Sequence, residues 1–298
     1  WPAFPHFSRF ANDERVQGIR LNSAMMKASE IDRRFEVESK NSDVPLWFDV
    51  KGMQMRIKEI ICGDDCDHLE FRLNRPISVE TPTRVEFKGG EDAAKLIEIK
   101  DGGTHLVFQG GPKFGVHVGE SIHILHPSLK VGGETFLDYE IEKIEKIKSL
   151  GFTRWYLSYV YDQKHVDEFR NLIGKDADLI LKIESKEGLK WIGSKYRPSK
   201  HTNLMAARGD LFVEVIQPHK ILKACKLVIE KDPDAFVGSR ILLSCVKDQL
   251  PSCADLGDMA WLYEIGYRNF LLCDELCLKE DLLARAVNVF SAFRSEYT

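Results

Sequence analysis

The chain has 298 residues, 44% of them hydrophobic and 30% charged, with a formal net charge of −4 at pH 7 and no long basic block. That length can bury a large core, as one α/β barrel or as two ordinary domains, and the charge balance points away from nucleic acid and from an anionic membrane surface. The longest apolar runs are too short to span a bilayer and nothing at the start has the form of a secretory signal, so a soluble protein is expected, with a few residues upstream of Trp1 because no methionine begins the chain.

In chain order, short apolar segments rich in β-branched and aromatic residues predict strands at 16–22 (VQGIRLN), 45–50 (PLWFDV), 155–160 (WYLSYV), 178–183 (DLILKI), 204–210 (LMAARGD), 235–240 (AFVGSR) and 268–273 (RNFLLC). AFPHF near the start, taken as a first member, brings the number to eight. Helical patterns lie between them. Residues 136–151 carry Ile141, Ile144 and Ile147 at helical spacing with Gly151 as a stop, and HKILKACKLVIEKDP ends at Pro233. Repeated strand and helix alternation means a parallel sheet with crossover helices, and eight units predict a closed (β/α)8 TIM barrel in the α/β class. From about 57 to 127 no helical pattern appears, but TRVEFKG and THLVFQGG alternate between glycine pairs. This predicts a small, mostly β domain inserted after the third strand, with residues 1–56 and 128–298 forming the barrel and 57–127 the insertion.

Seven cysteines, an odd number scattered through the chain, predict reduced thiols and a cytoplasmic location. Cys62, Cys66 and His68, and likewise Cys273 and Cys277, each lack the second half of a four-ligand zinc set, so zinc is not expected. His117, His123 and His126 are assigned to a β-rich surface strand.

Barrel enzymes place their chemistry at the C-terminal ends of the strands. Those ends are polar here: Arg20 and Asn22, Asp49 and Lys51, Ser158, Lys182 and Glu184, Arg208 and Asp210, Ser239 and Arg240, Asp274 and Glu275. Asp274 and Glu275 are accounted for as acidic residues just before a helix. Lys182 and Glu184 in LILKIESKEG (179–188) are not so easily dismissed, because alternate strand residues share a face while the apolar strand pattern still runs. They form either a salt bridge at a barrel rim or a binding pair.

GIRLN (18–22), FDVKG followed by Arg56, LSYV (157–160), LKIESKEG (181–188) and MAARGDLFVEV (205–215) occur in the order and approximate spacing of pyruvate kinase. The chain resembles that family over nearly its whole length, covering the catalytic barrel and its inserted domain, with no residues after ARAVNVFSAF for the family's regulatory domain. The resemblance implies a divalent cation, magnesium or manganese, on Glu184 and Asp210. It implies Lys182 and Arg20 as catalytic groups on the transferred phosphoryl group, and Ser239 where the family has a threonine hydroxyl. Asn22, Ser158 and the backbone at Ala207, Arg208 and Gly209 would meet substrate. Arg56 and Lys113 would meet nucleotide.

The departures fall on two sides of that site. WPAFPHF lacks the family's first-strand signature. Ser23, Ala24 and Met25 follow RLN, and Val50 and Gln54 stand where threonine and glutamate are usual. The family's potassium site is therefore incomplete, with Asn22 and Asp49 its retained ligands. EFKGG, Phe114 and VGSRILLS likewise replace nucleotide-side motifs. The leading expectation is a magnesium-dependent phosphotransferase acting between phosphoenolpyruvate and a nucleoside diphosphate. The alternatives are carbon–carbon lyase or aldolase chemistry on a metal-bound enolate of a 2-oxo acid, and a non-catalytic relative that binds a metabolite or a protein. Small-molecule substrates and a homo-oligomer are the expected partners.

Overall fold

Seven of the expected strands form, and they lie in one all-parallel sheet whose spatial order is their chain order: β1 (Ile19–Asn22), β2 (Leu46–Val50), β3 (Arg154–Leu157), β4 (Asp178–Ile183), β5 (Thr202–Ala207), β6 (Phe236–Gly238) and β7 (Asn269–Leu271). The computed structural model describes residues 2–31, 33–63, 67–248 and 250–297. These divide into two compact units, the first made of Trp1–Lys51, Asp138–Leu211 and His219–Thr298, the second of Gly52–Leu137 and Phe212–Pro218.

In the first unit the strands read as apolar on both faces because each face is covered. One face packs against helices: Phe48 of β2 meets the Trp155 ring edge-on at 5.8 Å, and Trp155 in turn meets Phe169, in the helix Gln163–Ile173, at 6.0 Å. The helices of this unit are α1 (Phe7–Ala11), α2 (Arg33–Lys40), α3 (Asp138–Ser149), α4 (Gln163–Ile173), α5 (Lys186–Ser194), α6 (Arg208–Glu214, whose end enters the second unit), α7 (Ile221–Lys231), α8 (Cys253–Glu264), α9 (Asp274–Cys277) and α10 (Glu280–Tyr297). The opposite face gathers Trp47, Tyr156, Ile180, Met205, Ala207, Phe236 and Leu271 into a separate cluster, one or two residues from each of six successive strands. Such a cluster requires the sheet to curl on itself, as in a (β/α) barrel.

The eighth strand is a correction. AFPHF is a turn leading into α1, because Pro2 and Pro5 have no N–H to give a ladder and proline is excluded from central strands. The segment is instead tied to the C-terminal helices. The His6 ring nitrogen bonds the Cys277 carbonyl at 3.0 Å, Arg9 pairs with Glu280 at 2.7 Å, and Arg15 donates to Asn288 at 2.6 Å. Side chains of β1 meet the first residue of α9, which follows β7, as described below.

Local signals explain where helices begin. Asp162 caps α4 by accepting from the His165 N–H, and Ser185 caps α5 by accepting from the Gly188 N–H at 3.1 Å. Gly188 is needed for a second reason: a Cβ there would stand 2.6 Å from the Val160 carbonyl oxygen, a backbone atom with no room to move. Gly188→Ala is therefore expected to lower stability by roughly 1–3 kcal/mol, read by denaturant unfolding. An unchanged midpoint would show that the Val160 loop gives way freely.

The second unit enters the chain after the second strand, not the third, since AFPHF is not one. It holds a six-stranded antiparallel sheet in the order Ile57–Cys62, Glu70–Leu73, His105–Gln109, Asp92–Lys100, Thr83–Phe87, Ile122–His123. Alternation along these strands puts Phe71, Leu73, Val85, Phe87, Leu96 and Phe108 into its own core. Two expectations fail here. His123 is not at the surface: it is fully buried in a two-residue strand and hydrogen-bonded to Glu214 at 3.0 Å. Cys62 is disulfide-bonded rather than a reduced thiol, and Cys66, invoked with it as a metal ligand, lies outside the described residues. Cys225, Cys245, Cys253, Cys273 and Cys277 are free. Among the described residues no helix is long and apolar enough to cross a membrane.

Candidate functional site

Toward the C-terminal ends of the strands the inward-facing positions change from apolar to charged. On β2 the alternation runs Trp47, Asp49, Lys51; on β4 it runs Ile180, Lys182, Glu184; on β1 it ends in Arg20 and Asn22. Parallel register sets Asn22 beside Asp49, and Asp49 beside Tyr156. The curl brings these groups to one place.

Asp49 is the centre. It is wholly buried and accepts from Lys51 Nζ at 2.8 Å and Ser158 Oγ at 3.1 Å, with Arg20 Nη1 at 3.4 Å and Lys182 Nζ at 3.5 Å. Burial alone would raise its pKa, but Lys182, Lys51 and Arg20 outweigh it and hold the carboxyl far below the usual range. Lys182 Nζ donates to Ser158 Oγ at 2.8 Å and pairs with Glu184 Oε1 at 3.0 Å. Burial works against its charge, yet Asp49 and Glu184 keep the ammonium more firmly protonated than usual.

Glu184 differs from Asp49. Its Oε2 accepts the Tyr159 N–H at 2.8 Å, on a loop where Tyr159 adopts a left-handed φ of 51°. Burial pushes its pKa up, Lys182 opposes, and the charges of Asp210 and Asp49 push it further up. Burial and the neighbouring carboxylates thus disfavour the charged form of Glu184, while Lys182 favours it. Among the described residues no group of three or more His, Cys, Asp or Glu converges, so a cation at Glu184 and Asp210 would take the rest of its shell from water and ligand oxygens. Magnesium usually binds that way, through one or two carboxylates.

Asp210 stands in the first turn of α6, directly after β5. The Arg208 guanidinium points to α8, where it grips Asp258 bidentately at 2.7 and 2.8 Å, and it also donates to the Ser239 carbonyl at 3.0 Å. Ser239 and Arg240 both have left-handed φ, 64° and 59°, and the Ser239 hydroxyl lies against Gly209: a Cβ on Gly209 would stand 3.3 Å from it. Ala207, Gly209, Asp210 and Ser239 are therefore one local assembly, held from behind by Arg208.

Two residues outside the expected site are integral to it. Lys51 shares a strand face with Asp49, a two-residue spacing the sequence does display. Asp274, expected only to start a helix, reaches back across the ends of the sheet: Arg20 Nη2 lies 2.5 Å from its Oδ1, and Asn22 Nδ2 donates to its Oδ2 at 3.0 Å. No sequence spacing indicates that contact. Asn22 Oδ1 also accepts the Ala24 N–H at 3.2 Å, so Asn22 and Asp49, the two residues that the resemblance gives as potassium ligands, are both engaged by protein groups. Arg56 and Lys113 lie in the second unit. The Arg56 guanidinium is held by Gln54 Oε1 at 2.6 and 2.9 Å, and Lys113 is exposed. Burial pushes the Cys273 and Cys277 thiols up to about 12 and about 11, which keeps both protonated near neutral pH.

A curled parallel sheet with a buried lysine and a buried aspartate ringed by cations at its C-terminal strand ends fits the (β/α) barrel class of α/β proteins. The chain is 25% identical over 283 residues to the pyruvate kinase of Methanocaldococcus jannaschii, covering 87% of this chain and 60% of that protein. It is 26% identical over 285 residues to the pyruvate kinase of Dictyostelium discoideum (86% and 53%) and 25% identical over 273 residues to that of Thermoplasma acidophilum (86% and 49%). It spans roughly half to three fifths of the length of these curated relatives. No family profile matches. The chain is a relative of the pyruvate kinase family.

Proposed function

We propose that the chain is a magnesium-dependent phosphotransferase of the pyruvate kinase type, moving a phosphoryl group between phosphoenolpyruvate and a nucleoside diphosphate. The observation that carries this reading is Glu184: a buried carboxylate, held by Lys182 and a backbone N–H, whose pKa is nonetheless pushed up by burial and by Asp210. A divalent cation on Glu184 and Asp210 would relieve that imbalance, and when bound it would supply Lewis-acid stabilisation of substrate oxygens.

The chain's own residues supply the rest. Lys182, fixed by Ser158 and Glu184, presents a permanent positive charge to a phosphoryl group in transit without reorganising. Arg20 offers a planar fork of donors to the same group. Ser239, packed against Gly209, sets a hydroxyl beside the backbone of 207–209, where a substrate carboxylate would be received. Residues 57–127 would act as the inserted domain of this enzyme, with Arg56 and Lys113 toward nucleotide.

The test is pyruvate formation from phosphoenolpyruvate and ADP with and without magnesium, together with magnesium titration in the presence of oxalate. Glu184→Gln is expected to weaken magnesium binding at least tenfold, since it removes a full charge from a site with two protein carboxylates. Unchanged magnesium affinity in that variant would remove Glu184 from the metal site and the reading with it. Carbon–carbon bond chemistry on a 2-oxo acid is the second reading, favoured by one observation: Arg20 is already paired with Asp274.

A further inference from the structure

Arg20 and Asn22 already hold an anion of the protein's own. Both oxygens of the Asp274 carboxylate are used, one by the Arg20 guanidinium at 2.5 Å and the other by the Asn22 amide at 3.0 Å, much as a bound oxyanion would be received. The two partners differ in freedom. The Arg20 side chain is 15% exposed and keeps Asp49 as a second partner at 3.4 Å, whereas Asp274 is 47% exposed and opens the four-residue helix α9. Asp274 is thus the more accessible partner and Arg20 the more enclosed.

Charge gives this contact a consequence. Asp49 lies close to Arg20 as well, so the position at Arg20 is already rich in carboxylate. A phosphoryl group brings a further charge of about −1.5 to −2 at neutral pH. To reach Arg20 it has to displace Asp274 or sit against it.

We propose that Asp274 is a specificity-determining residue, an internal anion that fills the phosphoryl position at Arg20 and Asn22 and so biases the site toward small carboxylate ligands without phosphate, the 2-oxo acids and their dicarboxylate analogues. This rests on the assignment of Arg20 to the phosphoryl group made above. A ligand lacking phosphate leaves the Arg20 and Asp274 pair intact and forfeits nothing. A phosphorylated ligand loses the free energy of breaking it, so the discrimination is a difference in cost rather than an added attraction.

Inorganic phosphate without metal is the direct probe, measured by calorimetry on the full chain. Asp274→Asn and Asp274→Ala are each expected to bind phosphate at least tenfold more tightly than the unaltered protein, and adding Arg20→Met to Asp274→Asn should abolish the gain. Oxalate with magnesium should change less than about threefold. If either variant folds with an unaltered melting profile and binds phosphate no better than the parent, Asp274 merely positions Arg20 and the inference is overturned. The two proposals separate cleanly. A phosphate gain with no magnesium-dependent oxalate binding in any form sinks the metal-site reading and leaves the role of Asp274 standing. Oxalate binding without a phosphate gain does the reverse.

Discussion

Lys182→Met is expected to reduce turnover by roughly 10²–10³-fold while magnesium-dependent oxalate binding survives, because a fixed charge aimed at developing negative charge acts mainly on the chemical step. The geometry makes the test sharper than the motif alone. Lys182 is clamped between Ser158 at 2.8 Å and Glu184 at 3.0 Å, so its removal also costs stability. Glu184 then loses the Lys182 ammonium, and its already raised pKa climbs further. A lower melting temperature is thus expected on either reading and decides nothing. Activity decides: a variant that melts several degrees lower yet turns over at the parent rate, in whichever assay proves positive, would leave Lys182 as a rim salt bridge.

Asp49→Asn should be the most destabilising single change in the site. Three cations surround Asp49, and an amide removes the carboxylate they share in a buried place, leaving Lys182 with Glu184 and Arg20 with Asp274 as their remaining carboxylate partners. Removing one partner of a buried ion pair typically costs roughly 3–5 kcal/mol, and here the partner is shared. The pH dependence gives a second signature. The folded pKa of Asp49 is depressed, so its contribution is fully present above the ordinary aspartate value of about 3.9 and is lost as pH falls below it. Unfolding free energies for parent and variant should therefore differ by a constant amount between about pH 5 and 7, and the difference should begin to narrow below about pH 4 and go on narrowing until the pH has fallen through the depressed folded value. A difference that stays constant down to pH 3 would mean that the carboxylate charge is not what the three cations require.

Some of this was legible in sequence and some was not. The strands, the helix over 136–151 and the Lys182 and Glu184 pair all follow from alternation and 3.6-residue spacing, which are properties of a short local window. Their common face was readable because β4 is apolar up to the point where charge appears. AFPHF was misread because an apolar run with aromatic residues suits a strand or a buried helix alike, and the two prolines that exclude the ladder received too little weight. His123 was misplaced for a related reason: a two-residue strand carries almost no periodicity, so only the packing of the finished sheet could bury it.

What the sequence determined by itself is the class of the fold, the register of charge along each strand and the residue types at the strand ends, because each depends on neighbours two to four positions away. What only the tertiary structure decided is which of those charges meet. Asp274 lies 254 positions from Arg20 and 252 from Asn22, yet the curl of the sheet returns the end of β7 to the end of β1 and makes it their partner. The Arg208 side chain, whose backbone alone was assigned to substrate, pairs with Asp258 on α8, fifty positions away. Electrostatic partnership is a matter of distance in space at low dielectric, and chain order carries no information about that distance until the sheet closes the path between its ends.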